Sequence, residues 1–283
     1  MNSSQFFGIT TLAFLLSAAF YIALFVFKNK KIGLAGLATA IFGLLTLTVA
    51  LGLRWYESYQ LGIGHAPLTN MYESLVFFAW CIALFYIFME FKFKNGVVGA
   101  FVMPFAFVAM AYASFAKGIN QQISPLIPAL QSNWLIAHVV TCFIGYGAFA
   151  MAGGLGLMYL LKKSALSKNR SKTSLTGSLP ELKITDDLTH KTIVFGFLWL
   201  SAGIITGAVW ANEAWGTYWS WDPKETWSII TWFIYASTLH ARFTRGWSGT
   251  RIAWLAIIGF VSVFFTYFGV NFLLAGLHSY GSS

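Results

Sequence analysis

The chain has 283 residues, of which 58% are hydrophobic and 10% are charged, a composition that excludes an ordinary soluble domain. The formal net charge of +9 does not indicate nucleic-acid binding, because the basic residues are spread along the segments between apolar runs. Cys81 and Cys142 lie in apolar runs without a CxxC pair, so we expect both to be small buried hydrophobic residues.

Eight runs without a charged side chain divide the sequence. A membrane-spanning helix needs about 20 predominantly apolar residues, and the shorter runs can each borrow a flanking residue whose charge reaches the interface. The pattern predicts an all-α integral membrane protein, with eight transmembrane helices in a single polytopic domain that covers residues 1–283. The runs are 1–27, 32–53, 74–89, 95–116, 118–161, 192–212, 226–241 and 252–283.

The distribution of Lys and Arg predicts the orientation. The first run has no basic residue before its apolar stretch, so we interpret it as a retained helix with an extracytoplasmic N-terminus, not as a signal peptide. Eight crossings then return the C-terminus to the extracytoplasmic side. The segments assigned to the cytoplasm hold 15 of the 18 Lys and Arg residues, in keeping with the positive charge of cytoplasmic loops. These segments are 28–31, 90–96, 162–191 and 242–251.

The connection between helices 2 and 3 carries capping signals. We expect an outer loop over 54–70 and a helix that begins at Thr69 or Asn70, where either side chain can cap a first turn that contains Glu73. His65 lies in this loop, and its sequence position leaves open whether it packs within the loop or contacts a ligand.

Helix 5 and the segment after it differ in character. Helix 5 begins near Trp134, places His138 about one turn inside the outer boundary, and continues with glycines that let neighbouring helices approach closely. Residues 162–191 form the longest polar stretch, rich in Ser, Lys and Thr, and we predict a flexible cytoplasmic loop that closes with a solvated His190.

Five tryptophans fall within residues 210–227, between two apolar runs. An aromatic belt at the membrane interface would explain some of them. The cluster is denser than anchoring requires, and a row of indole rings beside water suits a large planar aromatic ligand, which stacking and edge-to-face contacts stabilise. Pro223 follows Asp222 and predicts the start of helix 7. The tryptophans are Trp210, Trp215, Trp219, Trp221 and Trp227.

The predicted topology brings two distant histidines to the same side as this segment. His138 opens helix 5 and His278 follows helix 8, so both converge on residues 210–227. Histidine nitrogens serve as axial ligands of haem iron, although each histidine alone would also fit an interfacial residue bonded to water or backbone. His240 lies 16 residues past Lys224, about 24 Å along the helix, and belongs to the inner side as a functional residue or as part of a basic cap.

The run from Trp215 to Asp222, Trp-Gly-x-x-Trp-x-Trp-Asp, resembles the WWD signature of the haem-handling protein superfamily. With the three histidines and the segment 65–74, the chain from about residue 60 to about residue 280 resembles the CcsA (ResC) family, a component of the system II cytochrome c synthase. In helices 1 and 2 the resemblance extends only to number and orientation.

The resemblance implies a set of haem-binding residues. His138 and His278 would be the axial ligands of a haem b on the outer side. His240 would be one ligand of a second haem within the membrane, whose other ligand comes from a CcsB (ResB)-like partner. The segment 210–227 would hold the outer haem, and its implied haem-binding members are Trp210, Trp215, Trp219, Trp221 and Asp222.

The function implied by the resemblance is cytochrome c biogenesis. Haem b would cross a bacterial cytoplasmic (inner) or thylakoid membrane and be presented outside, where the thiols of CxxCH in an apocytochrome c add to its vinyl groups. The chain would be the haem-binding component of a synthase (haem lyase) complex with a CcsB-like chain and, indirectly, a thioredoxin-like thiol reductant; no nucleic acid is expected. No catalytic acid or base is assigned, because the expected contribution is orientation of the haem.

Three alternative functions fit the sequence less well. CcmC-like proteins deliver haem to a chaperone and share the tryptophan motif and the outer histidines, but they are usually shorter, with fewer helices. A b-haem electron-transfer subunit would place its ligand pairs within the bilayer, whereas His138 and His278 lie at its outer edge. A solute transporter would show charges or broken helices near the midplane of the membrane, and the sequence has no convincing charge there.

Overall fold

The computed structural model describes residues 2–167 and 175–274 of the chain. Within these residues there is no strand, and long helices account for most of the structure. A π-helical turn at Phe265–Gly269 interrupts the last helix. The long helices are α1 (Ser3–Phe27), α2 (Lys30–Gln60), α3 (Met71–Phe93), α4 (Gly99–Phe115), α5 (Asn133–Ser167), α6 (Leu182–Trp215), α7 (Pro223–Arg245) and α8 (Thr250–Leu273).

In the described part of the chain, seven helices are long and apolar enough to cross a membrane. This confirms the prediction of an all-α integral membrane protein. The long helix outside this set is α7, which carries Lys224 and Glu225 in its first turn and Arg242 and Arg245 in its last turn. The eighth crossing and the extracytoplasmic position of both termini therefore stay predictions.

The polar segment 162–191, predicted to be a loop, is helical at both of its ends. α5 continues to Ser167 and α6 begins at Leu182, while residues 168–174 lie outside the described part. Nζ of Lys191 lies 2.7 Å from a carboxylate oxygen of Asp187 across one helical turn. Pairs with this spacing stabilise exposed helix ends modestly. This is one reason why α6 begins before its apolar stretch.

The connection between α2 and α3 is also shorter than the predicted loop 54–70, because α2 continues to Gln60. The backbone N–H of Glu73 donates to the side-chain oxygen of Asn70 at 2.9 Å. This bond confirms the predicted cap of α3 and fixes the residue at which α3 begins.

The centre of the bundle is α5, which packs against α3, α6 and α8. Its glycines allow the close approach that the sequence predicted. A Cβ added at Gly156 would lie 2.7 Å from the backbone oxygen of Ala253 in α8, so no side chain fits there. Backbone contact of this kind fixes the position of α5 and therefore of the side chains that its first turns carry.

A buried ion pair joins α2 to the start of α3. Nε of Arg54 lies 2.8 Å from Oε1 of Glu73, and the two side chains are only 5% and 1% exposed. The other carboxylate oxygen of Glu73 accepts hydrogen bonds from the backbone N–H and the hydroxyl of Thr69, at 3.0 Å each. Arg54 also donates to the carbonyl oxygen of Gln121 at 3.0 Å. Three segments are therefore held together beside the cleft described below.

Candidate ligand-binding cleft

A cleft opens among α3, α5, α6, α7 and α8 at the end of the bundle where α5 begins. Its atom-free space, including the solvent at its mouth, is about 930 Å³. The lining combines many apolar groups with a few polar ones. Its main members are Asn70, Ser74, His138, Cys142, Phe143, Tyr146, Gly207, Trp210, Tyr218, Trp219, Lys224, Glu225, Ser228, Thr266 and Tyr267.

His138, from the second turn of α5, has a defined orientation in this cleft. Its Nδ1 lies 2.8 Å from the carbonyl oxygen of Gly203 in α6. Because a carbonyl oxygen can only accept a hydrogen bond, Nδ1 carries the proton and Nε2 carries the lone pair of the neutral ring. A histidine that binds a metal through one ring nitrogen is usually oriented by a hydrogen bond from its other ring nitrogen, often to a backbone carbonyl. His138 has such a bond.

A second glycine of α6 makes room for the imidazole. A Cβ added at Gly207 would lie 2.5 Å from Nδ1 of His138 and 2.7 Å from its Cε1. The ring therefore lies directly against the backbone of α6, and any side chain at position 207 would displace it.

Trp210 supports His138 from the end of α6. The two rings are nearly parallel, with an interplanar angle of 19° and centroids 5.8 Å apart. The indole of Trp210 is buried, and its N–H donates to the carbonyl oxygen of Ala129 at 2.8 Å. Trp215 packs edge-on against Trp210 at 5.0 Å. Both bonding and packing therefore fix the indole that lies beside the histidine.

Two buried carboxylates hold the backbone of the connection between α6 and α7 through hydrogen bonds. Asp222 caps α7 by accepting from the backbone N–H of Lys224 at 2.9 Å. Glu225 accepts from the backbone N–H groups of Ser220 and Asp222, at 2.8 and 3.2 Å, through the same oxygen. The sequence motif Asp-Pro-Lys-Glu is thus a reciprocal helix cap, with Pro223 at the first position as predicted.

The two tryptophans of this connection have different environments. Trp219 is half-buried and lines the cleft. Trp221 is 72% exposed and has a φ of +60°, which is a strained conformation for a bulky residue. Their rings lie perpendicular, with centroids 5.8 Å apart. Residue 219 is therefore available to a ligand in the cleft, whereas residue 221 points away from its lining.

The residues selected from the sequence are only partly brought together. His138, Trp210 and Trp219 line the cleft, while Trp215, Trp221 and Asp222 support or flank it. His278 lies outside the described residues.

His240 is exposed on the second-to-last turn of α7. It follows the cleft residue Lys224 by 16 positions, or about 24 Å of helix, so it does not reach the ligand that His138 can reach.

His65 has a structural position in the connection between α2 and α3. Its ring is buried, and its two nitrogens lie 2.9 and 3.1 Å from the carbonyl oxygens of Ala66 and Ser124. The ring thus lies between two connecting segments, and His65 is not among the residues that line the cleft.

The sequence analysis missed the contribution of α8 to the cleft. Thr266 and Tyr267 line it from the π-helical turn, and the Tyr267 hydroxyl lies 2.5 Å from Oγ of Ser74 in α3. Turns of this kind are often found at functional sites. The Thr266–Tyr267 pair sits in an unbroken apolar run, so neither charge nor periodicity distinguishes it in the sequence.

The fold and the cleft define a polytopic helical membrane protein with an oriented histidine in an aromatic-lined site. Residues 68–278 match the family model described as Cytochrome C assembly protein.

Similarity to known proteins identifies the family within this class. The chain is 42% identical to the cytochrome c biogenesis protein CcsA of Guillardia theta, over 97% of this chain and 95% of that protein. It is 41% identical to the protein of the same name from Synechococcus sp. (strain CC9902), over 90% and 89%. The chain therefore belongs to the CcsA family of cytochrome c biogenesis proteins.

A solved structure, the cytochrome c haem lyase CcmF, has the same fold. The TM-score is 0.67 at 16% sequence identity, and the match covers 94% of this chain and 47% of that one. The chain thus corresponds to about half the length of that protein.

Proposed function

We propose that this protein binds haem in the cleft and presents it for attachment to apocytochrome c. The observation that carries the proposal is His138, whose Nδ1 is bound to a backbone carbonyl while its ring lines an aromatic cleft. The residues fit the molecule, because a planar apolar macrocycle matches the aromatic walls and an imidazole nitrogen is a common axial ligand of haem iron. His278 supplies the second axial ligand in this proposal.

Haem b is the substrate here. It enters from the cytoplasmic side near His240, crosses the membrane with a CcsB-like partner, and reaches the cleft. Each thiol of a CxxCH motif then adds across one vinyl double bond, sulfur to one carbon and hydrogen to the other. The thioether therefore forms without an oxidant or a leaving group. The protein accelerates this addition by orientation, since holding two reactants in place removes much of the entropic barrier.

The membrane arrangement in this proposal rests on the distribution of Lys and Arg along the sequence. The cleft and both termini face the extracytoplasmic side of a bacterial cytoplasmic or thylakoid membrane. α7 also crosses the membrane, through residues 226–241, which brings the number of crossings to eight. Apocytochrome c docks at the cleft, and a thioredoxin-like reductant keeps its thiols reduced. Haem delivery to a chaperone is the second candidate function, because the same cleft could release haem to another protein.

The test is an absorption spectrum of the chain purified with its CcsB-like partner. His138→Gly and His278→Gly should each lose most of the bound haem or change its spectrum, and added imidazole should restore both by replacing the missing ligand. His190→Gly is the matched control, because His190 packs on Phe243 at the opposite end of the bundle. Unchanged haem content and spectra in both cleft variants would refute the site.

Gly207→Ala tests whether the position of the His138 imidazole depends on the missing side chain at residue 207. The added methyl group would overlap Nδ1 of His138, so we expect haem affinity to fall about 10- to 100-fold, the usual effect of disturbing the support of a metal ligand. The measurement is a haem titration followed by absorbance. Gly52→Ala should leave the affinity unchanged, because nothing lies within 4 Å of a Cβ at that position. Equal affinities in the two variants would contradict the predicted fit.

A further inference from the structure

A buried asparagine lies just beyond the π-helical turn of α8. Asn271 is 6% exposed, and its side-chain N–H donates to the carbonyl oxygen of Tyr267 at 2.6 Å. Tyr267 itself lines the cleft, and the segment Val270–Leu273 contacts α7. Asn271 is therefore tied to the wall of the cleft, in the last described turn of α8.

The carbonyl half of this amide lacks a partner among the described residues. Because the carbonyl oxygen of Tyr267 can only accept a hydrogen bond, the nitrogen of Asn271 faces it and Oδ1 is directed elsewhere. Oδ1 is buried and accepts from no residue that the structure describes. A buried acceptor without a donor destabilises a folded protein and is rare, so this oxygen calls for a donor from outside the described residues.

The chain that follows α8 is long enough to supply such a donor. The helix ends at Leu274, whose backbone is extended with φ −127° and ψ 125°. His278 follows four positions later, and four residues span at most about 14 Å. Asn271 lies three residues before Leu274, or about 4.5 Å back along the helix. The imidazole N–H of His278 is therefore a donor that the chain can bring to Oδ1 of Asn271.

We propose that Asn271 orients the imidazole of His278, by accepting a hydrogen bond from one ring nitrogen while the other binds haem iron. The inference rests on the function proposed above, in which His278 is the axial ligand opposite His138. It gives His278 the same kind of support that His138 has, since Nδ1 of His138 donates to the carbonyl oxygen of Gly203. Such a bond fixes the ring orientation and makes the imidazole a stronger ligand. Asn271 is thus a positioning residue that acts through His278.

The test replaces the His278 side chain by a small imidazole with or without an N–H. His278→Gly, purified with its CcsB-like partner, is reconstituted with haem at increasing concentrations of 4-methylimidazole or of its isomer 1-methylimidazole, which has no N–H to donate. The Soret band reports binding to the iron. The 4-methyl isomer should bind about tenfold more tightly, which corresponds to about 1.4 kcal/mol. His138→Gly is the positive control, because Gly203 accepts the N–H at that position.

Substitution of the acceptor assigns the preference to Asn271. In the His278→Gly background, Asn271→Leu removes the acceptor and should reduce the preference about tenfold, whereas Asn271→Asp keeps an acceptor and should keep the preference. Asn120→Leu is the matched control and should also keep it. Asn120 is exposed, and its Oδ1 already accepts from the backbone N–H of Gln122 at 2.9 Å.

Equal binding of the two isomers by His278→Gly would overturn the inference, and this comparison needs no change at Asn271, so it does not depend on whether Asn271→Leu folds. An unchanged preference in Asn271→Leu would overturn it as well. In both cases the loss of the haem spectrum in His278→Gly would leave the proposed function intact. If the spectrum of His278→Gly matched wild type, the axial role of His278 would fail and the inference would fail with it.

Discussion

Arg54→Met should destabilise the protein by roughly 3–5 kcal/mol, because it leaves the Glu73 carboxylate buried without its charged partner. The pair joins α2 to α3, and Arg54 also donates a hydrogen bond to the carbonyl oxygen of Gln121. The substitution therefore removes contacts among three segments. Thermal unfolding in detergent, followed by tryptophan fluorescence, measures the effect. Arg54→Met combined with Glu73→Gln should recover part of the loss, since the second change removes the unpaired charge.

The exposed pair of Lys191 and Asp187 is the internal control. Its N–O distance of 2.7 Å is similarly short, but its side chains are 66% and 51% exposed. Surface pairs contribute about 0–1 kcal/mol, so Lys191→Met should shift the unfolding temperature little. If Arg54→Met shifted it no more than Lys191→Met, the buried pair would not hold α2 against α3.

Most of the fold could be predicted because charge and hydropathy determine where helices cross a membrane. The cap at Asn70, the proline start of α7 and the close packing of the α5 glycines are all local signals. The helix ends at Ser167 and Leu182 could not be predicted in this way, because an amphipathic extension outside the bilayer has the same polar composition as a loop.

The site was predictable only where its chemistry is rare. A histidine near a helix end and a dense tryptophan segment are unusual in an apolar chain, so His138, Trp210 and Trp219 could be selected. The contact of the His138 ring with Gly207 and the position of Tyr267 in the π-helical turn depend on how helices pack against each other. Neither residue type is unusual in a membrane helix, and no local pattern distinguishes these two positions.

The second large effect is expected from Glu225→Ala, which removes the acceptor around which the α6–α7 connection folds. The carboxylate accepts from the backbone N–H groups of Ser220 and Asp222 and from the Ser220 hydroxyl. Hydrogen bonds to a charged group contribute about 1.5–3 kcal/mol, so their joint loss should let residues 216–222 open locally while the helices remain folded. Hydrogen exchange of that segment should accelerate at least tenfold, and haem affinity should fall with it because Trp219 loses its position.

Glu181→Ala is the control for the loss of a glutamate near the start of a helix. Glu181 lies directly before α6, whereas Glu225 lies in the first turn of α7, and the Glu181 side chain makes no capping hydrogen bond, so exchange and haem affinity should stay at wild-type values. Glu225→Gln retains one carbonyl acceptor and should fall between wild type and Glu225→Ala. If Glu225→Ala kept both the exchange protection of residues 216–222 and the haem affinity, the tryptophan segment would be held by its own packing. The acidic residues of the motif would then be needed only as the cap of α7.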